Sequence, residues 1–186
     1  MTINLINYAL AKKDWEKAYE DLKVLEIGGR NLLRNSDFSD GLEHWQSNGS
    51  ISLVNVDGKE AIKLTGTTNG FYQHPTNLEE NTYYTISFKA KSVGETSSLM
   101  VGFLNQSKDL RQAINVDSTW RKYTFTTTQF IDFNRNATLH FYANNETAEG
   151  VYITEIKIEK GNKATDWTPA PEDVQEQIDE AKQEAE

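Results

Sequence analysis

The side chains in this sequence that could do chemistry are acids, imidazoles and aromatic rings, and their spacing argues against catalysis. There are 28 Asp and Glu residues, three His and no Cys. Without Cys there can be no disulfide, no thiolate nucleophile and no thiolate metal site. His44, His74 and His140 are scattered, with no pair at metal-ligand spacing. No Ser stands in a Gly-x-Ser-x-Gly turn, and no glycine-rich loop is arranged to cradle a phosphate. A glycosidase needs two carboxylates at a fixed separation, one with a raised pKa, and no acid here sits in an apolar, motif-like setting. What remains is planar binding chemistry. Tyr72 and His74 share a parity in Phe71-Tyr72-Gln73-His74, and His140 and Tyr142 face opposite to Leu139 and Phe141. Asn105, Gln106, Arg111 and Gln112 lie on or beside one loop. Rings flanked by amides and a guanidinium suit a ligand with an apolar face and a polar edge.

The elements that must position these groups are strands. Ile51–Val56 and Glu60–Thr65 flank Asp57-Gly58, a strong hairpin signal. Gly70–His74 is a short strand ended by Pro75. Tyr83–Ser92 alternates, with Tyr84, Ile86, Phe88 and Ala90 on one face and Thr85, Ser87, Lys89 and Lys91 on the other. Ser98–Asn105 is apolar on both faces, which places it inside a sheet. Gln112–Val116, Trp120–Thr127, Ala137–Ala143 and Gly150–Lys160 complete the set. About nine short strands at roughly ten-residue spacing predict a β-sandwich of jelly-roll type. In the last strand, Ile153 has the opposite parity to Ile156 and Ile158, so a β-bulge near Thr154-Glu155 is expected, re-aiming Glu155.

Ahead of the strands, Asn31–Trp45 reads as a folded entry segment. Leu32, Leu33, Phe38, Leu42 and Trp45 are apolar anchors, joined by Asn, Ser, Asp and Gly turns. Trp45 reads as a core anchor and Trp167 as a plug closing one end of the sandwich, whereas Trp120, at a strand start, reads equally as core or as ligand platform. Residues 9–26 predict one helix, with Trp15, Ala18, Tyr19, Leu22 and Leu25 on one face and Asp14 as a weak cap. That helix would pack on the β domain or on a neighbouring subunit. Pro169 and Pro171 predict a stiff exit linker. Val174, Ile178, Ala181 and Ala185 form a narrow apolar stripe, read either as the start of a coiled coil, the favoured reading, or as a frayed tail.

The bulk numbers narrow the partners. A net charge of −9 and a pI near 4.9 argue against nucleic acid and against a polybasic membrane surface. No apolar run reaches the roughly 18 residues of a membrane span, and the first residues do not resemble a signal peptide.

The motifs in order carry a resemblance. Asn-Leu-Leu-Arg-Asn-Ser-Asp-Phe-Ser-Asp-Gly-Leu-Glu-His-Trp (31–45), Asn-Thr-Tyr-Tyr-Thr-Ile-Ser-Phe-Lys-Ala-Lys (81–91), Trp-Arg-Lys-Tyr-Thr-Phe (120–125) and Tyr-Ile-Thr-Glu-Ile-Lys-Ile-Glu (152–159) resemble carbohydrate-binding modules of the family 4 and 9 type. The run from Glu159 to Asp173 resembles the end of such modules in tail and baseplate proteins of phages infecting lactococci and streptococci. The resemblance implies a mainly β, galactose-binding-like jelly roll over residues 30–168. It would be preceded by an N-terminal helical segment (1–29) and followed by a linker and C-terminal helix (169–186).

It implies a non-catalytic module touching host cell-wall polysaccharide, with other tail proteins as partners; the C-terminal helix would lead either to further domains or to a homo-oligomer. Two rivals stay open: a purely structural spacer of the tail, and a module attached to a glycan-degrading enzyme. A sugar cleft would draw on Tyr72, His74, Asn105, Arg111, His140 and Tyr142. Many family members hold a structural calcium, for which Asp37 and Glu155 are the carboxylates at hand. Ser39 stands where the family usually has an acid, and the alternative for Glu155 is a salt bridge to Arg34 or Lys157.

Overall fold

The computed structural model describes residues 2–27, 29–104, 109–127, 137–144 and 149–186. Among them are ten strands and three helices. The strands are β1 (Gln46–Asn48), β2 (Ile51–Val56), β3 (Lys59–Leu64), β4 (Gly70–Gln73), β5 (Tyr84–Ser92), β6 (Thr96–Leu104), β7 (Asp109–Asp117), β8 (Arg121–Thr126), β9 (Thr138–Ala143) and β10 (Val151–Lys160). They form two antiparallel five-stranded sheets, ordered β1-β4-β9-β6-β7 and β2-β3-β10-β5-β8. From β5 onward the chain crosses repeatedly between the sheets, giving the expected jelly-roll sandwich. The short strand β1 escapes sequence reading because Gln46-Ser47-Asn48 is polar and exposed.

Alternation builds the core. Ile86, Phe88, Leu99, Val101, Leu139, Phe141, Ile153, Ile156 and Ile158 are buried between the sheets. Phe71 of β4 and Phe141 of β9 are register partners, and their rings stack at 5.0 Å. The bulge occurs where parity demands it. The β10–β5 register shifts between Thr154 and Lys157, and Glu155 adopts φ +48°. The Asp57-Gly58 turn has positive φ at both residues, the form that matches strand twist in a two-residue hairpin.

The entry segment is held by two asparagines. The buried Asn31 amide donates to Ser36 Oγ at 3.0 Å, Ile156 O at 3.0 Å and Thr168 O at 2.9 Å. The Asn35 amide donates to the carbonyls of Asp40, Gly41 and Glu43. Phe38 and Trp45 are buried against each other at 5.4 Å, and Trp45 Nε1 donates to Asn35 O. Leu42 departs from expectation: it is 41% exposed, on the rim of the turn. Trp167 is half-buried and donates to Ser36 Oγ at 3.1 Å, so the tail closes over the same segment.

The helices correct the sequence reading. Instead of one helix over 9–26 there are two, α1 (Thr2–Ala11) and α2 (Trp15–Ile27). Lys13 turns back at φ +57°, and Asp14 Oδ1 caps α2 by accepting from Lys17 N at 3.1 Å. The reversal lets Ile6 and Ala9 of α1 and Ala18 and Leu22 of α2 meet Val174 and Ile178 of α3 (Pro171–Ala185). Val174 and Ile178, the first half of the stripe expected to make a coiled coil, are therefore covered by the chain's own N-terminal helices, whereas Ala185 at its far end is exposed. Pro169, Ala170 and Pro171 are buried rather than an exposed linker, and Pro171 sits at the start of α3, where its missing N–H costs nothing.

Candidate functional site

The outer face of the β1-β4-β9-β6-β7 sheet gathers the planar residues. Pairing sets Gln46, Tyr72, His140, Gly102 and Arg111 in one row across five strands. The next row is Asn48, Gly70, Tyr142, Met100 and Ala113. Tyr72 and His140 stack at 4.9 Å with their planes 11° apart, one residue out of step from the Phe71–Phe141 stack on the core side. Arg111 sits over the Tyr142 ring at 5.6 Å, a cation–π pair that orders both side chains.

Two glycines open the floor between these groups. A Cβ at Gly70 would lie 2.6 Å from Tyr142 Cδ2, and one at Gly102, where φ is +145°, would lie 2.5 Å from Leu110 O. Glycine inside a strand marks a close approach of this kind. The result is an open groove of about 530 Å³, lined chiefly by Asn48, Met100, Leu104, Arg111, His140 and Tyr142. Rings, a guanidinium and side-chain amides can stack on an apolar ligand face and bond to hydroxyls around its edge.

Of the residues singled out from sequence, Tyr72, Arg111, His140 and Tyr142 share this sheet face; Arg111, His140 and Tyr142 line the groove, and Tyr72 stacks on His140 beside it. His140 is 8% exposed, so it forms the floor that backs Tyr72 rather than a projecting contact. His74 follows the end of β4, is exposed and does not line the groove. Asn105 lies outside the described residues. Asn48, Thr67, Met100, Leu104 and Asn144 line the groove without having been foreseen. The in-strand glycines Gly70 and Gly102 were the available signal.

The residues considered for calcium do not fit it. Glu155 is turned by the bulge toward two ammonium groups, Lys89 Nζ at 2.8 Å and Lys59 Nζ at 3.6 Å. Its salt bridge thus runs to these lysines and not to Arg34 or Lys157. Asp37 Oδ1 accepts from Ser39 N and Ser39 Oγ, closing a local turn. Calcium takes six to eight oxygen ligands, and two lysines at the principal carboxylate compete directly with it.

A second acidic group was not foreseen: His44, Asp173 and Glu176, with ligand atoms within 4.8 Å of one another. Arg34 already holds it, because its guanidinium pairs with Asp173 and with Glu176. Burial pulls the Arg34 pKa down, but the bond to Asp173 and the charges of Asp173, Glu176 and Glu172 outweigh it and raise the pKa above its usual value. Asp173 also accepts from Asn35 N at 2.7 Å, and Arg30 pairs with Glu172. The group is thus an electrostatic clasp between α3 and the entry segment.

A family model described as a carbohydrate binding domain, of the 4/9 type, matches residues 30–150. No curated protein matches the chain by sequence. Among solved structures, a family 16 carbohydrate binding module aligns with a TM-score of 0.55 at 17% identity, over 69% of this chain and 99% of that one. A family 11 module from Clostridium thermocellum, in complex with a β-1,3-1,4-mixed-linked tetrasaccharide, gives 0.52 at 19% identity, over 73% and 98%. The enzymatically active domain of bacteriophage CBA120 tailspike protein 4 gives 0.50 at 17% identity, over 70% of this chain but 21% of that one. These likenesses establish the shared fold.

Proposed function

The chain belongs to the carbohydrate binding domain family 4/9, and on that premise we propose that it is a non-catalytic module of a phage tail or baseplate protein that holds host cell-wall polysaccharide in the groove on the β1-β4-β9-β6-β7 sheet. The observation that carries the reading is the in-register row Tyr72–His140–Gly102–Arg111 with Tyr142 beside it, an aromatic and guanidinium surface floored by glycine. Tyr142 supplies the stacking face, Arg111 orders that ring, and Asn48 offers an amide to hydroxyls. The tail context rests on the resemblance of Glu159–Asp173 to phage modules, and the fold likeness to a tailspike domain is in keeping with it. Single-site sugar affinity is modest, and many copies on one particle would bind by avidity.

The test is affinity gel electrophoresis of the full chain against wall polysaccharides from lactococcal and streptococcal hosts. Retardation by at least one of them is expected, with Tyr142→Ala binding about tenfold more weakly. Migration unaffected by every polysaccharide would favour a structural spacer.

A further inference from the structure

The opposite sheet carries a second patterned face. In the β2-β3-β10-β5-β8 sheet, Ile62, Ile86, Phe88 and Ile153 point into the core, so their neighbours Lys63, Ser87, Lys89 and Tyr152 point outward. Pairing places Tyr152 directly between Lys63 of β3 and Lys91 of β5. Trp120, at the residue before β8, is tied to Lys91: Trp120 Nε1 and Lys91 Nζ both donate to Asp57 Oδ2, at 2.9 Å and 3.0 Å. The order across the sheet is Lys63, Tyr152, Lys91, Trp120, with rings and ammonium groups alternating. Lys89 and Lys122 pair in the row below.

The charge on this face runs against the rest of the protein. Lys59, Lys63, Lys89, Lys91 and Lys122 stand against Asp57 and Glu155, in a chain of net charge −9. The tail covers only the other end of the sheet. There the buried Lys157 donates to Thr165 Oγ1 and Asp166 O, and Lys122 donates to Thr165 O. Tyr152 and Trp120 stay half-buried, with part of each ring open.

We propose that this face is a second saccharide surface, selective for an acidic polysaccharide whose rings stack on Tyr152 and Trp120 while its ring carboxylates reach Lys63 and Lys91. Strands lie about 4.8 Å apart, so each ammonium is one strand from a stacking ring and the two rings are about 10 Å apart. A uronic acid carries its carboxylate on the sugar ring itself, which puts charge and stacking face at that separation. Asp57 already pairs with Lys91 and Glu155 with Lys89 and Lys59, so the face keeps a surplus of ammonium groups that a neutral glycan would not use, and a flexible polyanion without sugar rings would leave the aromatics unmatched. The face lies across the sandwich from the groove, so either surface can fail without the other.

The experiment measures binding of the full chain to polygalacturonate and to its methyl-esterified form at low ionic strength, by affinity gel electrophoresis. The acid polymer should bind and the ester at least about tenfold more weakly, in line with the loss of two lysine–carboxylate pairs. The double variant Lys63→Gln/Lys91→Gln should lose a similar factor. Tyr152→Ala, which keeps every lysine, should lose about threefold to tenfold. Tyr142→Ala should bind the acid polymer like the parent. No binding of the acid polymer, equal binding of the ester, or unchanged binding by Tyr152→Ala would each overturn the proposal. Loss of binding in Tyr142→Ala would move the polymer to the groove and overturn it as well.

Discussion

Tyr142 lies against Gly70 of the neighbouring strand, at a spacing that leaves no room for a side chain there: an added Cβ would fall 2.6 Å from the ring and 2.9 Å from Phe141 O. The neighbour at 2.9 Å is backbone and cannot swing away. Gly70→Ala should therefore cost about 1–3 kcal/mol in urea unfolding and also weaken saccharide binding, because the tyrosine must leave its place over the strand. Gly58→Ala serves as the contrast. It meets nothing within 4 Å but sits at φ +80°, so it should cost about 1 kcal/mol and leave binding unchanged.

The clasp between α3 and the entry segment gives a second prediction. Arg34→Met removes the partner of Asp173 and Glu176 while keeping the aliphatic stem. The expected loss is about 1.5–3 kcal/mol, the range for hydrogen bonds to charged groups, and it should shrink as salt is added. Chemical denaturation at two salt concentrations measures it.

The two hydrophobic cores are separate clusters, one in the sandwich and one among the helices. Ile178→Ala should therefore cost about 2–5 kcal/mol, felt chiefly by the helices. Limited proteolysis should release residues around α1 and α2 first, while β-sheet circular dichroism and polysaccharide binding persist. Simultaneous loss of both would show the cores to be one cooperative unit.

Asp57 sets an acid dependence. Its hydrogen bonds from Lys91 and Trp120, with the Lys91 charge, hold its carboxyl below the usual carboxylate value of 3.8. A folded-state value below the unfolded one gives stability that is fully present above about pH 3.8 and is lost as the pH falls through the folded value. In Asp57→Asn the fall in melting temperature between about pH 4 and pH 2 should be shallower than in the parent. An identical slope would remove Asp57 from the acid response. Asp117, lowered by its bonds from Thr119, should persist as a separate contribution in both proteins.

Because Glu155 faces Lys89 and Lys59, removing divalent metal should leave the melting temperature unchanged. Lys89→Met should lower it slightly, through a stability loss of about 1 kcal/mol or less, since both partners are partly exposed. A drop on adding chelator to the parent would restore the metal reading.

Much of this architecture was legible because alternation is a local signal. The parity of Leu139 and Phe141 against His140 and Tyr142 fixed which side chains share the outer face, and the parity break at Ile153 and Ile156 located the bulge. What alternation could not carry was pairing over distance. Nothing local in Val174 and Ile178 says that Ile6, Ala9, Ala18 and Leu22 cover them, so the stripe read as an interface for another chain. Likewise the partners of Glu155 come from β3 and β5, nearly a hundred residues and more than sixty residues away, and only the register reveals them. The groove followed the same rule. Tyr72, His140 and Tyr142 were visible on their own strands, whereas Asn48, Met100 and Gly102 join them only through the order of the sheet.

The most direct test of the groove is an NMR titration of the isotopically labelled full chain with a retarding wall polysaccharide that carries no acidic groups. The amides of Tyr72, Gly102, Arg111, His140 and Tyr142 should shift together and saturably, and those of β2, β3 and β8 should stay in place. Saturable shifts confined to the β2-β3-β10-β5-β8 sheet, or binding that leaves the Tyr72–Arg111 row unmoved, would contradict the assignment.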